Sequence, residues 1–273
     1  MNDYLKNKLN AYNDTRSRYH YLREYLQLLI LKVLDEKGHF KFIAFVGGTA
    51  LRILYDLHRF SEDLDFALVN KKHYSLPKIA EDLEYELTKY NFPATVKYKD
   101  KNNVAVVYIK FGELLAAAGL SNLAAQKIFI KMEIDEFPPE GFQTELSVIN
   151  KDFFAAINHY DLPSLFAGKL HAILCRKYTK GRDYYDLLWY LSHNTEPNFK
   201  LLNAAVLQTQ GKNPHFDKES LKNALSKKIT ETDFKLVLND VDPFLQDTNE
   251  SRLFNQTVFL AALNKWKQTK YPT

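Results

Sequence analysis

A short apolar segment that ends in a glycine pair constrains the fold of this chain more than any other feature. Residues 40–46 are apolar except for Lys41, this run ends at Gly47 and Gly48, and a helical pattern begins at Thr49. A strand that ends in two glycines and enters a helix lets the backbone approach a phosphate closely. The helix N-terminus and the Thr49 hydroxyl add donors. A plain turn before a helix has the same sequence, so this feature is weak alone.

Two alternating aspartates follow the glycine turn. Residues 63–69 alternate in polarity, which predicts a second strand with Asp63 and Asp65 on one face, roughly 6–7 Å apart. Two carboxylates on one face can bind Mg²⁺, which uses one or two carboxylates together with substrate phosphates. A strand end with solvated acids is the alternative. Combined with the glycine turn, the pair suggests a phosphate site facing a metal site, the arrangement that nucleotidyl transfer needs.

A third carboxylate for this site comes from the segment 127–135. Its apolar residues alternate with polar ones, so Lys131, Glu133 and Asp135 share one face of a predicted strand. We take Glu133 as the third metal ligand and keep Asp135 as the second choice. An exposed polar sheet face would show the same alternation.

A later basic stretch is the second informative segment. From Leu162 to Arg182 the chain has no acidic residue, and such a run fits a triphosphate or a nucleic-acid backbone as well as a solvated helix face. Asp183 then lies at the start of another predicted helix. It could cap that helix, act as a base or pair with a basic residue, and Asp186 is the alternative for the role of late acid. The basic residues of the stretch are Lys169, Arg176, Lys177, Lys180 and Arg182.

The order of elements predicts an α+β protein. The chain has 273 residues, enough for two domains of ordinary size. Pro138–Gly141 interrupts the pattern, and we predict an α/β domain over 1–150 and a helical domain over 151–273. The expected elements are helices over 15–37 and 76–90, strands over 94–99, 104–111 and 127–135, helix or loop over 114–119, and mainly helix after about residue 152.

The distribution of charge limits the possible partners. The formal net charge is +4, and the 1–150 segment is balanced, so the excess lies in 151–273. This segregation keeps a polyanionic partner possible. The single cysteine, Cys175, excludes an internal disulfide. The chain has neither a signal-peptide pattern nor an apolar run of the roughly 20 residues needed to cross a bilayer. We therefore expect a cytoplasmic protein without membrane contact.

The motifs resemble those of the AbiEii/AbiGii toxin family of nucleotidyltransferases, which includes the mycobacterial MenT toxins. Residues 47–51 and 59–66 are similar to the first family motif, and Arg-Phe-Ser-x-Asp-x-Asp is its most specific part. Residues 169–172 with Arg176, and then 182–187, resemble the later motifs. The similar spans run from about residue 25 to residue 192.

This resemblance implies a fold and an activity. The fold would be DNA-polymerase-β-like, with a mainly helical C-terminal domain. The activity would be Mg²⁺-dependent transfer of a nucleoside monophosphate from an NTP to an RNA acceptor, the 3′ end of tRNA, with release of pyrophosphate and inhibition of translation. A cognate antitoxin would be the protein partner. The alternatives are transfer to a small molecule or a protein hydroxyl, and a non-catalytic protein that binds NTP or RNA.

The resemblance also assigns roles to individual residues. Asp63 and Asp65 would hold Mg²⁺ with Glu133, Lys169 would contact the triphosphate, and Asp183 would be the late catalytic acid. The substrate-binding residues would be Gly47, Gly48, Thr49, Arg59, Ser61, Arg176 and Arg182. The tail over 195–273 has no recognisable motif, although Trp266 and Tyr271 could pack or stack.

Overall fold

The protein contains two compact units that alternate along the chain. A computed structural model describes residues 3–101, 103–123 and 125–266. Unit 1 comprises the residues up to Tyr55, Phe60–Phe137 and Glu145–His159, and unit 2 comprises Asp56–Arg59, Pro138–Thr144 and the residues from Tyr160 onward. Neither unit is continuous in sequence, so the division at residue 150 stays a prediction.

A mixed sheet forms the centre of unit 1. Within the described residues it has seven strands in the order β3-β4-β5-β2-β1-β7-β6. β1 pairs antiparallel with β2, and β2 pairs parallel with β5. β1 also pairs parallel with β7, whereas β3, β4 and β5 are antiparallel neighbours. The strands are β1 (Ile43–Val46), β2 (Leu64–Leu68), β3 (Ala94–Lys101), β4 (Val104–Phe111), β5 (Ile128–Asp135), β6 (Thr144–Asn150) and β7 (Phe154–Tyr160).

The helices of unit 1 begin at clear sequence signals. The Asp14 carboxylate accepts a hydrogen bond from the Ser17 N–H at the start of α2, and Ser75 caps α4 with Pro77 in its first turn. α2 contributes six buried leucines to the core. The helices are α1 (Asp3–Asn10), α2 (Thr15–Glu36), α3 (Gly47–Tyr55), α4 (Leu76–Lys89) and α5 (Leu114–Ala117).

Unit 2 is helical. Asp161 and Asn198 cap its first and third helices, and the Trp266 indole is buried and donates a hydrogen bond to the Thr195 carbonyl at 2.9 Å. Trp266 thus packs in the core, while Tyr271 lies outside the described residues. The helices are α6 (Leu162–Cys175), α7 (Gly181–Ser192), α8 (Phe199–Gln210), α9 (Lys218–Thr230), α10 (Phe234–Val241) and α11 (Gln256–Lys265).

The structure confirms the α+β class and most of the predicted elements. The ambiguous segment near residue 114 is a short helix. The expectation of helix from about residue 152 onward is wrong at its start, because β7 occupies Phe154–Tyr160. The buried positions of β7 include the small side chain of Ala155 and the polar side chain of His159. These two residues hide the alternation of apolar and polar side chains that is typical of a strand. In the described part of the chain, no helix is both long enough and apolar enough to span a membrane.

Candidate active site

The glycine turn of unit 1 lies directly against the second aspartate. Gly47 has a positive φ of 80°, a conformation that L side chains rarely adopt. β1 and β2 pair so that Val46 is opposite Asp65. A Cβ atom on Gly47 would lie 3.0 Å from the Asp65 Cβ and even closer to its carboxylate. The close approach of the turn to the carboxylate therefore requires glycine at position 47.

Alanine at position 47 is expected to destabilise the protein by about 1–3 kcal/mol, because positive φ and the contact with Asp65 both oppose a Cβ. It should also lower transfer activity, since Asp65 must move. Urea denaturation and transfer assays would measure the two effects. Gly112→Ala is the matched control, because a Cβ there meets no atom within 4 Å. Equal stability losses in the two variants would contradict this explanation of Gly47.

The Thr49 hydroxyl holds the segment that leads to the aspartates. Its Oγ1 lies 2.8 Å from the Ser61 Oγ and hydrogen-bonds the Asp63 carbonyl. Thr49 is 1% exposed, so these partners lie inside unit 1. Asp63 immediately precedes β2. The strand begins at Leu64, one residue later than the sequence pattern predicts. In this arrangement Thr49 positions residues 61–63.

The acidic side chains of β2 and β5 lie side by side. The parallel register aligns Asp65 with Glu133, and in parallel strands such partners project from the same face. The Lys131 ammonium on the same face of β5 is 3.0 Å from Glu133 and 3.8 Å from Asp63. Burial opposes its charge, but the carboxylates of Glu133, Asp63 and Asp65 raise the pKa of Lys131. The face therefore attracts cations.

Asp135 is in a different environment. It is aligned with Ala67, one pleat further along β2 than Asp65, and its carboxylate accepts a hydrogen bond from the Phe137 N–H at 3.0 Å. Burial raises the pKa of Asp135, which disfavours the charged form that a metal ligand needs. The geometry favours Glu133 over Asp135 as the neighbour of Asp65.

The donor set fits a hard divalent cation through two carboxylates. In the described residues no three acidic, histidine or cysteine side chains converge as a ready metal-binding group. Asp63 and Asp65 nevertheless supply oxygen donors beside a backbone turn that has no side chain, and Mg²⁺ needs only one or two protein carboxylates when phosphates and water complete its shell. In this structure the Glu133 carboxylate forms an ion pair with the Lys131 ammonium.

Unit 2 contains a second cluster of charged residues, which we call the ion-pair network: Arg59, Lys169, Arg176, Asp183 and Asp186. The Arg59 guanidinium forms two parallel hydrogen bonds to Asp186, of 2.6 and 2.7 Å. The Lys169 ammonium lies 2.7 Å from both Asp183 and Asp186, and Arg176 pairs with the other oxygen of Asp183. Three cations thus surround two carboxylates.

Burial and charge together fix the protonation states in this network. Burial opposes ionisation of Asp183, but Lys169 and Arg176 lower its pKa, so it is a carboxylate. Burial likewise opposes the charge of Lys169, while Asp183 and Asp186 raise its pKa. Lys169 has three N–H donors and uses two of them here, which leaves one for a ligand. Asp186 is completely buried, and the Arg59 side chain is 2% exposed.

The other predicted substrate-binding arginines differ in their surroundings. The Arg176 guanidinium uses one nitrogen on Asp183 and lies 5.2 Å from the centre of the exposed Tyr178 ring. The Arg182 guanidinium stacks 4.1 Å from the centre of the Phe244 ring. Arg176 therefore keeps donors near solvent. Asp183 and Asp186 are both buried.

Sequence reasoning assigned no role to Lys131 and missed the pairing of Arg59 with Asp186. The alternation of lysine and acids along β5 could have drawn attention to Lys131, because residues 131 and 133 share one face. No local pattern connects Arg59 with Asp186, because the two residues are 127 positions apart.

Two solved structures are similar in fold to this chain. A crystal structure of JHP933 from Helicobacter pylori matches with a TM-score of 0.52 and 21% identity, covering 91% of this chain and 93% of that chain. A structure described as a "putative nucleotidyltransferase from H. pylori" matches with a TM-score of 0.54 and 20% identity, covering 93% and 98%. At these identities the similarity shows a shared fold. A comparison with curated proteins gives no match.

The match to a family of nucleotidyltransferases shows the class of enzyme to which this chain belongs. The sequence model of the "Nucleotidyl transferase AbiEii toxin, Type IV TA system" family matches residues 29–265. The chain therefore belongs to the AbiEii toxin family of a type IV toxin–antitoxin system, and this membership implies a cognate antitoxin.

Proposed function

We propose that this toxin transfers a nucleoside monophosphate from an NTP to RNA, at the 3′ end of tRNA, with Mg²⁺ as cofactor, and thereby blocks translation. The acceptor hydroxyl would attack the α-phosphate in line, forming one P–O bond while the bond to pyrophosphate breaks. The proposal extends to a DNA-polymerase-β-like fold for unit 1 and to action in the cytoplasm, where NTPs and tRNA occur.

The observation that carries the proposal is the acid pair against the glycine turn. Asp65 is aligned with Glu133 on β5, Asp63 lies two residues before Asp65, and the glycine turn lies directly against the Asp65 carboxylate. These residues would hold Mg²⁺, which when bound neutralises charge on the phosphates. Lys131, between Asp63 and Glu133, supports a cation-attracting site in the same place.

Lys169 would bind the triphosphate as a cation. Its two carboxylate partners keep it protonated and fix its position, and its remaining N–H can donate to a phosphate oxygen. Asp183 would act mainly by orienting Lys169 and Arg176, because its lowered pKa makes it a weak base. Preorganised donors of this kind stabilise charge that develops on the leaving pyrophosphate.

An RNA acceptor is supported by the resemblance to toxins that modify tRNA and by the location of the positive charge. The excess of basic residues lies entirely in 151–273, while the segment with the acid pair is balanced. A segment with such an excess of positive charge attracts a polyanion. Since the chain is an enzyme of this family, a purely binding role has no support.

The test is incubation of the purified protein with total tRNA and each α-labelled NTP in turn, with and without Mg²⁺. The proposal expects label in RNA with at least one NTP and loss of labelling when EDTA is added. Digestion with ribonuclease or protease identifies the acceptor class. Label that resists ribonuclease but is removed by protease, or labelling unaffected by EDTA, would contradict the RNA or the Mg²⁺ part respectively. Induced expression with and without Asp63→Ala would show whether toxicity depends on the acid pair.

A further inference from the structure

One face of the sheet in unit 1 carries lysines and aromatic side chains on β3, β4 and β5. The antiparallel register aligns Lys97 with Tyr108, and Lys110 with Phe129. Directly opposed residues of antiparallel strands project from the same face, and so do residues two positions apart along one strand. These side chains and that of Lys99 therefore share one surface. We call it the basic–aromatic face: Lys97, Lys99, Tyr108, Lys110 and Phe129.

The two faces of these strands differ in exposure. On the opposite face Val107 and Ile109 are completely buried, and residues of α4 line one surface cleft together with Val96 and Tyr98. The basic–aromatic face is open in contrast, because its three lysines are exposed and Phe129 is 54% exposed. A ligand can therefore reach both the ammonium groups and an aromatic ring from the same side of the sheet.

The lysines of the basic–aromatic face have no acidic partner. Among the residues that the structure describes, none of the three forms an ion pair, whereas Lys131 on β5 pairs with Glu133 and lies 3.8 Å from Asp63. The described side chains that β3 and β4 project from this face include no carboxylate. The face thus has three uncompensated positive charges, which complement a polyanion.

The basic–aromatic face is continuous with the acid pair. Lys99 is aligned with Val106, and Val106 with Glu133. Glu133 is in turn aligned with Asp65, so one row of residues crosses four strands to the candidate metal site. Neighbouring strands are about 4.8 Å apart, which places β4 about 10 Å from β2. Stacked nucleotides rise about 3.4 Å each, so this distance corresponds to about three nucleotides.

We infer that the basic–aromatic face binds the single-stranded end of the RNA acceptor, with bases stacked on Phe129 and Tyr108 and phosphates beside the lysines. Aromatic rings on a basic surface bind single-stranded nucleic acid in this way, because every base has a face that can stack. A strand bound there would lead its terminal hydroxyl towards the acid pair. The inference rests on the proposed function for the reaction at the acid pair, but its test measures binding alone.

The experiment measures binding of fluorescein-labelled oligoadenylate to the full chain by fluorescence anisotropy at several salt concentrations. The probe is used as a single strand and as a duplex with oligouridylate. Phe129→Leu should weaken single-strand binding about tenfold, because leucine keeps the apolar volume and removes the stacking surface. The double variant Lys97→Gln/Lys110→Gln should lower the salt slope by about 1.4, since each phosphate contact of a single strand contributes about 0.7.

An aromatic residue and a lysine on α4 provide the matched controls. Tyr85 is 59% exposed, and the Lys89 ammonium lies 4.2 Å from the centre of its ring. Since α4 packs on the opposite face of the sheet, Tyr85→Leu and Lys89→Gln should bind both probes as the native chain does. Native binding by the variants of the basic–aromatic face, or an equal loss in the controls, would overturn the inference. Equal losses with the single strand and the duplex would refute base stacking.

Binding and transfer can fail separately. If the native chain binds the single strand through this face but labels no RNA, the proposed function is wrong and the RNA-binding face stands. If RNA is labelled while the face variants bind the probe normally, only the face assignment is wrong. The substituted lysines are exposed, so the double variant should keep the native melting temperature, and it decides the inference even if Phe129→Leu proves unstable.

Discussion

Asparagine in place of Asp63 is expected to lower nucleotidyl transfer by about 10³-fold while the protein stays folded. The substitution keeps the shape of the side chain and removes the negative charge that would hold a divalent cation near the phosphates. The Asp63 side chain is 31% exposed, so it adds little to the core. The measurement is the rate of label transfer from NTP at saturating Mg²⁺, together with urea denaturation of both proteins.

Asp135→Asn is the matched control for this variant. Asp135 is on the neighbouring strand, but its carboxylate accepts the Phe137 N–H and it is aligned with Ala67, away from Asp65. We expect Asp135→Asn to retain transfer within about threefold of the native rate, whereas Glu133→Gln should lower it by at least about tenfold. A larger loss in Asp135→Asn than in Glu133→Gln would exchange the two assignments. Near-native transfer by Asp63→Asn would refute the acid pair as a catalytic element.

Local patterns were sufficient to predict the glycine turn and the acidic face. Gly47 and Asp65 lie close together because β1 and β2 are consecutive along the chain and pair as antiparallel neighbours. The alternation over β5 correctly placed Glu133 on a polar face, since the period of a strand fixes which side chains share a face. The sequence did not determine that β5 is the parallel neighbour of β2. That pairing depends on the order of strands in the sheet.

Long-range contacts account for what the sequence did not predict. Helical periodicity puts Asp183 and Asp186 on one face of α7, but it does not show that this face is buried, because acidic residues are rarely buried without a partner. The partner is Arg59, from a four-residue segment, Asp56–Arg59, that belongs to unit 2. The periodicity of one element carries no information about its contacts with residues from distant parts of the chain.

Loss of Asp186 is expected to produce the largest change in stability. Asp186→Leu leaves the Arg59 guanidinium buried without its bidentate partner, and breaking a buried pair in this way costs about 3–5 kcal/mol. The free energy of unfolding, measured in urea by circular dichroism, should decrease by that amount. Lys227→Ala is the control for an ion pair at the surface, where the Lys227–Glu231 pair contributes at most about 1 kcal/mol.

The double variant Arg59→Met/Asp186→Leu separates the structural role of this pair from its effect on catalysis. Apolar side chains can replace a buried ion pair with little net cost, so the double variant should recover most of the stability that Asp186→Leu loses. Transfer activity should stay low in both variants, because Lys169 has lost one of the two carboxylates that fix its ammonium. Full recovery of transfer in the double variant would show that Asp186 serves stability alone. If Asp186→Leu lowered the free energy of unfolding by less than about 1 kcal/mol, the buried pair itself would be contradicted, since a buried guanidinium without a partner destabilises a protein by more than that.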